Sequence, residues 1–340
     1  MKANIGKSGG NAVLAALLFA AGLVALPAPQ AQAQQAQTQP LQTWRHGMLE
    51  AKSDAGILMM VTRHDFAKKY GLNIEITQFK SDVPEVQAAI AGELDSFEGG
   101  LPSTFTADAH GADVRVLGCH WPGLPHGIFT KDSVTSITQL KGKTFAISAP
   151  GAMPDILVRT VLAQNHMSPS DVTFANLGSD LDRYKALQAG VVDAAVVSGE
   201  YAPIAQKEGL KLLVRGRDVL PDFMRICFMS SGATLSQKPD LAAAFLAAEM
   251  DALRYALSHK AETDALTLEL TQAKPDDPRP AYIFEQAKNG GVDPTLAIPM
   301  SKLDWMQQQM VQAGSLPQPL DMSKFVAPDI RAQALKLIAK

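Results

Sequence analysis

The pattern A-x-x-A-G-x-x-D occurs twice in this chain at a constant offset of 98 residues. One copy runs from Ala88 to Asp95 in "QAAIAGELDSFEGG", the other from Ala186 to Asp193 in "KALQAGVVDAAVVSGEY". In each copy a stretch with helical spacing ends on a glycine, which closes a helix in the left-handed conformation at little cost. The aspartate then leads into an apolar run of central-strand length, and the alanines let the helix lie close to the sheet. A chain that repeats such a unit at this distance is built from two like blocks.

Reading outward from the two copies gives strand-helix alternation on both sides, the pattern of parallel α/β sheets. In the first block "LQTWRHGML" reads as a strand, and "DAGILMMVTRHDFAKKYG" as one helix with Asp54 at its N-cap and Gly71 just past its end. "LNIEITQF" is a strand, "DVPEVQAAIAG" a helix with Asp82 and Glu85 at capping-box spacing, and "SFEGG", "STFTADAHG" and "VRVLGC" complete the block. The second block runs from "TFAISAPG" to "KLLVRG" in the same alternation. After Pro221 one further strand, "RICFMSS", is followed by helical patterns alone. A lone strand cannot make its own sheet, so the chain is expected to return to the first block. Lobe one is then residues 42–128 plus 224–340, and lobe two, 132–221, is inserted between two crossings near 128–132 and 221–226.

The first 33 residues differ from the rest. Lys2 and Lys7 precede the apolar run "AVLAALLFAAGLVAL", which leads to small residues at Ala31 and Ala33, so residues 1–33 read as a secretory signal peptide cut after Ala33. Residues 34–41 are a Gln-rich flexible leader. No later run reaches the roughly 18 apolar residues of a membrane span, and no cysteine near residue 33 offers a lipid attachment point. The expected location is the periplasm. Loss of the two lysines takes the formal charge from −3 to −5, and no basic run points to nucleic acid. Cys119 and Cys227 are the only cysteines, and in an oxidising compartment they either pair or stay as buried thiols.

Ligands of open parallel sheets bind beyond the carboxyl ends of the strands. The segments that follow the strands here are "EAKSD", "KSD", "EGGLPS", "SAPGAM", "LGSD" and "SGEY", all short and rich in Gly, Ser and Asp. Small residues leave backbone N–H groups open at helix starts, where the dipole favours an anionic oxygen. Trp121, just past the last strand of the first block, is placed either to stack on a ligand or to pack at the lobe boundary. Trp44, Trp305 and the pair Met59–Met60 read as core, and His120 and His126 as hinge or cleft-edge residues, with plain surface positions as the alternative. The chain has no G-x-S-x-G, H-E-x-x-H, C-x-x-C, Walker loop or dinucleotide fingerprint, so neither a cofactor nor a metal is expected.

The phrases "FAKKYGLNIEI", "AAIAGELDSFEGG", "SITQLKGKTFAIS", "SPSDVTFANLG", "ALQAGVVDAAVVSGEY" and "PDLAAAFLAA" carry a family likeness over about 42–260. The chain resembles the solute-binding proteins of ABC importers in the nitrate, sulfonate and taurine group, which also contains binders of thiamine pyrimidine precursors. The resemblance implies a type II periplasmic binding fold, two mainly parallel α/β lobes with two hinge crossings. It implies a monomer that closes on a small polar molecule, a sulfonate, a carboxylate or a related compound, and delivers it to a membrane permease. It implies a binder, not an enzyme; an enzyme of the same fold acting on a pyrimidine or carboxylate metabolite and a ligand-presenting sensor are the competing classes. Matched loop by loop, the family's ligand positions fall on Lys52, Ser53, Ser81, Gly100, Pro102, Ser148, Gly151, Ser179, Ser198 and Tyr201. Glu98 and Glu200 depart from an all-anion pocket by placing carboxylates beside the cleft.

Overall fold

The computed structural model describes residues 40–312 and 314–339; the expected signal peptide and most of the leader lie outside the described residues. The strands are β1 (Gln42–Leu49), β2 (Leu72–Phe79), β3 (Ser96–Gly99), β4 (Val114–Pro122), β5 (His126–Lys131), β6 (Thr144–Ile147), β7 (Thr173–Asn176), β8 (Ala194–Ser198), β9 (Leu210–Arg215) and β10 (Met224–Ser231). They form two sheets of the same layout, β2-β1-β3-β10-β4 and β7-β6-β8-β5-β9. Each sheet is mostly parallel, with one strand, β10 or β5, running antiparallel between two neighbours. The first sheet is completed only after the chain has traced the second.

The repeated phrase does the same work in both sheets. Gly92 and Gly190 take φ of 78° and 73°, and the N–H groups of Glu93 and Val191 each reach back 2.9 Å to the carbonyls of Ala88 and Ala186. Asp95 donates its N–H to the Arg45 carbonyl at 2.8 Å, and its carboxylate accepts the Arg45 N–H at 2.9 Å. Asp193 repeats both contacts with Thr144, at 3.0 and 2.9 Å. Each aspartate therefore adds a rung to the ladder ahead of its strand, with a carboxylate standing where a strand would offer a carbonyl.

Three expectations about local structure change. The helix expected over 54–71 is broken into Ala55–Leu58, a 3-10 turn at Met60–Thr62, and Phe66–Lys69. Thr62 closes the first piece by donating its hydroxyl to the Met59 carbonyl, and His64 then takes a φ of 50°. Asp54 makes no side-chain cap, because its carboxylate pairs with Arg225. The capping box at Asp82 and Glu85 does not form either. Ser81 is the N-cap of the Asp82–Ile90 helix, Asp82 accepts the Gly100 N–H at 3.2 Å, and Glu85 is fully buried with neither carboxyl oxygen hydrogen-bonded.

The third change is the lobe boundary. His126–Lys131 is an interior strand of the second sheet, pairing with β8 and β9. The first crossing is therefore Gly123–Pro125 and not 128–132, and the second ends at Phe223, where β10 begins. Strand β5 is easy to miss because Ile128 and Phe129 are both fully buried, so it lacks the polar-apolar alternation that betrays a strand with one wet face. The two crossings touch: Gly123, at φ 88°, donates its N–H to the Phe223 carbonyl at 2.7 Å.

The Pro239–Ser258 helix packs its alanine-rich face, Ala242–Ala248, onto the first sheet, with Phe245 stacked on Trp44 at 5.5 Å between ring centroids. Trp44, Met59 and Met60 are core as expected, whereas Trp305 is half-buried. Cys119 on β4 and Cys227 on β10 are register partners and are joined as a disulfide.

Glu85 gives a test of this packing. Its side chain lies over the backbone of Gly47 and Gly99, where a Cβ would meet it at 3.3 and 3.2 Å. Burial, and then Asp82 and Glu98, push its carboxyl up to about 9. The folded protein thus keeps a proton that the unfolded chain releases above its ordinary value near 4.5. Stability is lost as pH rises from there, and the loss levels off only when the folded group ionises. Glu85→Gln, which keeps the shape and removes the titration, is expected to be nearly neutral at pH 5 and stabilising by about 2 kcal/mol at pH 8. Denaturant melts at the two pH values check it; an equal effect at both would show that Glu85 stays ionised in the fold.

Candidate functional site

A cleft of about 580 Å³ lies between the two sheets, lined by Lys52, Asp54, Asp82, Glu98 and Gly100 from the first lobe and by Ser179, Asp180, Ser198, Glu200 and Tyr201 from the second. His126 and Arg225, which flank the crossings, also line it. Lys52 and Asp54 follow β1, Asp82 follows β2, and Glu98 and Gly100 stand at the end of β3; Ser179 and Asp180 follow β7, and Ser198, Glu200 and Tyr201 stand at the end of β8. Both walls are thus strand carboxyl ends, and the two sheets present them to each other because they share one layout.

Of the residues expected from the sequence, Lys52, Glu98, Gly100, Ser179, Ser198, Glu200 and Tyr201 come together here. Ser53 is buried just behind the wall, with its hydroxyl beside Glu200. The others lie elsewhere. Ser81 is exposed at its helix start and Ser148 is half-buried, and neither lines the cleft. Trp121 lines a neighbouring cavity of about 350 Å³ beside the crossings, where the Arg225 guanidinium rests 4.6 Å from its ring centroid. Pro102 and Gly151 line a third, largely apolar cavity of about 160 Å³ with Met153, Phe223, Trp305 and Met306. The Gly151 N–H, expected to meet an anion, donates instead to Asp155 Oδ2 at 2.8 Å. Asp155 sits in the first turn of the Met153–Gln164 helix, and a carboxylate there takes the donor that a ligand would have used.

Asp54, Asp82 and Asp180 lie in loops named from the sequence but are not singled out there, because they look like ordinary helix starts. His126, expected at the hinge or cleft edge, lines the cleft as the first residue of the overlooked strand β5. Arg225, the second residue of β10, is the cleft residue that sequence reading misses; its only signal is that the chain must re-enter lobe one at that point.

Charge in the cleft is arranged in layers. Arg225 pairs with Asp54. Asp180 meets Arg183 and, at 3.5 Å, His126. Burial works to raise the Asp180 carboxyl, but His126, Arg183 and Lys52 together hold it below its ordinary value. Glu98 and Glu200 go the other way. Burial, and then Asp54, raise the Glu200 carboxyl against the pull of Ser53, Arg279 and Arg225. Burial raises Glu98 against His120, whose Nε2 lies 3.3 Å from Glu98 Oε2 without the alignment of a hydrogen bond. Behind His120 a buried polar set continues. His46 Nδ1 lies 2.8 Å from Ser96 Oγ, which also accepts the Trp44 Nε1–H at 2.7 Å. Burial, with His120 nearby, holds the His46 imidazole down at about 3. Glu249, from the Pro239–Ser258 helix, is buried and raised well above its ordinary value by burial and by Glu98. Among the described residues no group of His, Cys, Asp and Glu is placed to hold a metal ion, and no helix is long and apolar enough to cross a membrane.

Solved structures share this architecture. The periplasmic aliphatic sulphonate binding protein SsuA of Escherichia coli superposes with a TM-score of 0.71 at 18% identity, covering 84% of this chain and 92% of that one. The alkanesulfonate-binding protein SsuA of Xanthomonas axonopodis pv. citri, bound to MOPS, gives 0.65 at 18% identity over 85% and 99% of the two chains. The desulfurization enzyme DSZB gives 0.64 at 16% identity over 86% and 99%. At these identities the likeness is one of fold. No curated protein matches the chain. A family model described as "NMT1/THI5 like" matches residues 53–263, a span that begins in the cleft loop after β1 and takes in both crossings and the whole second sheet. More than half of the chain falls within that match, and this protein belongs to the NMT1/THI5-like family.

Proposed function

We propose that this protein is the solute-binding component of an ABC importer, exported to the periplasm, where its lobes close on a small polar molecule and present it to a membrane permease. The observation that carries the reading is the cleft itself. Two lobes of one layout face each other with their strand carboxyl ends, polar side chains converge from both, and only two short crossings join them. Such a pair of crossings absorbs a hinge rotation. The fold shared with sulphonate-binding proteins supports the reading, and the N-terminal sequence, with its positive start, apolar run and Ala-x-Ala site, supports export.

The test is a thermal-shift screen of the chain lacking residues 1–33 against sulfonates, carboxylates, amines and pyrimidines, followed by small-angle scattering with each hit. A bound ligand is expected to make the particle more compact. A hit that binds stoichiometrically and leaves the scattering profile unchanged would remove the closing-lobe mechanism. Because DSZB has the same fold, each hit is also followed by mass spectrometry, and conversion of the ligand to a product would assign an enzyme instead.

A further inference from the structure

The six carboxylates that line the cleft are Glu50, Asp54, Asp82, Glu98, Asp180 and Glu200, against the cations Lys52 and Arg225 and the imidazole of His126. Most of this positive charge is already committed. Arg225 pairs with Asp54 and lies on the Trp121 ring. His126 shares Asp180 with Arg183, which leaves Lys52, exposed on the first wall. Arg279, which approaches Glu200 from outside the cleft lining, is itself paired with Asp277 at 2.6 Å.

What remains is carboxylate on both walls. Glu98 is 3% exposed and lines the cavity, with its Oε2 turned to His120 at 3.3 Å. Glu200 lines it from the other lobe with no salt bridge, and Asp82 has only the backbone N–H of Gly100. A ligand whose sole charge is negative would be enclosed against Glu50, Asp82, Glu98 and Glu200 with one exposed lysine, Lys52, to meet it, which burial makes costly. A positively charged nitrogen would meet carboxylates from both walls and join them as they close.

We propose that the cleft takes a ligand with a cationic nitrogen head group, an amine or an amidine, held between Glu98 and Glu200, and that it rejects ligands carrying only negative charge. This deepens the binding function proposed above and rests on it.

Matched probes decide the point by calorimetry on the chain lacking residues 1–33: benzamidine against benzoate, putrescine against butyrate, and taurine against ethanesulfonate. Nitrogen-bearing members are expected to bind, and their purely anionic counterparts are not. Glu200→Gln is expected to weaken the bound amine about tenfold or more and to reduce the discrimination against the anion of the same pair. Glu200 is half-buried in the short Gly199–Tyr201 turn, outside the core that holds Glu98, so this variant is expected to fold; Glu200→Asp, which keeps the charge, should retain most of the affinity. Binding of benzoate, butyrate or ethanesulfonate at equal or higher affinity than its partner would overturn the charge assignment and leave the binding function standing. Amine binding that Glu200→Gln leaves unchanged would overturn the assigned site. Failure of every nitrogen-bearing probe to bind, with a hit of another class in the wider screen, would overturn the inference alone, whereas a wider screen with no hit would remove the binding function.

Discussion

Reduction of the Cys119–Cys227 disulfide is expected to cost about 4 kcal/mol of stability, the largest effect of any single covalent change in this chain. The two residues are 108 apart in sequence, and a cross-link closing a loop of that length removes roughly 4–5 kcal/mol of chain entropy from the unfolded state. The loop it closes is the whole second lobe with both crossings. Thermal melts with and without reductant should differ by on the order of 10 °C, and Cys119→Ser with Cys227→Ser should reproduce the reduced value without reductant. Full release of both thiols with no change in melting would show that the unfolded chain gains nothing from losing the link.

The second large effect is expected at Asp95. Its side chain, 2% exposed, accepts the Arg45 backbone N–H, two bonds from the Arg45 guanidinium and one from Lys238. Removing it strands a backbone donor at the entry to a central strand and separates two cations from their partner. Arg45 and Lys238 are themselves more than a third exposed, so water takes back part of that loss, and Asp95→Ala is expected to cost about 3 kcal/mol. Asp193 makes the same backbone contact, but its side chain is 41% exposed and its one lysine, Lys143, stands at 3.5 Å. Asp193→Ala should cost about 1 kcal/mol or less. Equal costs at the two positions would mean that the backbone rung, and not the ion network, holds the strand entry.

Acid carries a second readout of the same network. Burial opposes the Asp95 carboxylate, but Arg45 and Lys238 together hold it below its ordinary range in the folded state. A depressed folded value means that the contribution is complete above the unfolded value, near 3.9, and is lost as pH falls through the folded one. The gap between wild type and Asp95→Ala should therefore narrow on acidification and not on raising pH.

The two-block layout was legible from one repeated phrase because its parts are local. A left-handed glycine and a strand-entry aspartate are demanded by the residues beside them, and the structure supplies the reason for the aspartate in the Arg45 and Thr144 amides. The cleft was half legible. Loops after strands could be found, and they brought Lys52, Glu98, Gly100, Ser179, Ser198, Glu200 and Tyr201 to one place. Gly151 failed because its donor is consumed four residues away by Asp155, a competition that spacing does not reveal. Glu85 failed in the opposite sense. At capping-box spacing a glutamate is read as a surface residue, and only the pair of glycines beneath it, Gly47 and Gly99, makes room for it to be buried. Arg225 and Trp121 meet across more than a hundred residues of intervening chain, and no local pattern announces such a pair.

Strand β10 sits between β3 and β4, yet it is made after the entire second lobe. A ribosome that has released residue 122 must add the chain up to residue 231 before that gap can be filled, roughly 5–20 s at about 5–20 residues per second. Throughout that interval β3 and β4 each carry a row of unpaired backbone groups, the kind of edge that recruits stray strands, and the second lobe gains its fifth strand at Arg215, before β10 is made. The later-encoded half is thus the first able to stand alone. Completion of the two sheets runs against the order of the gene.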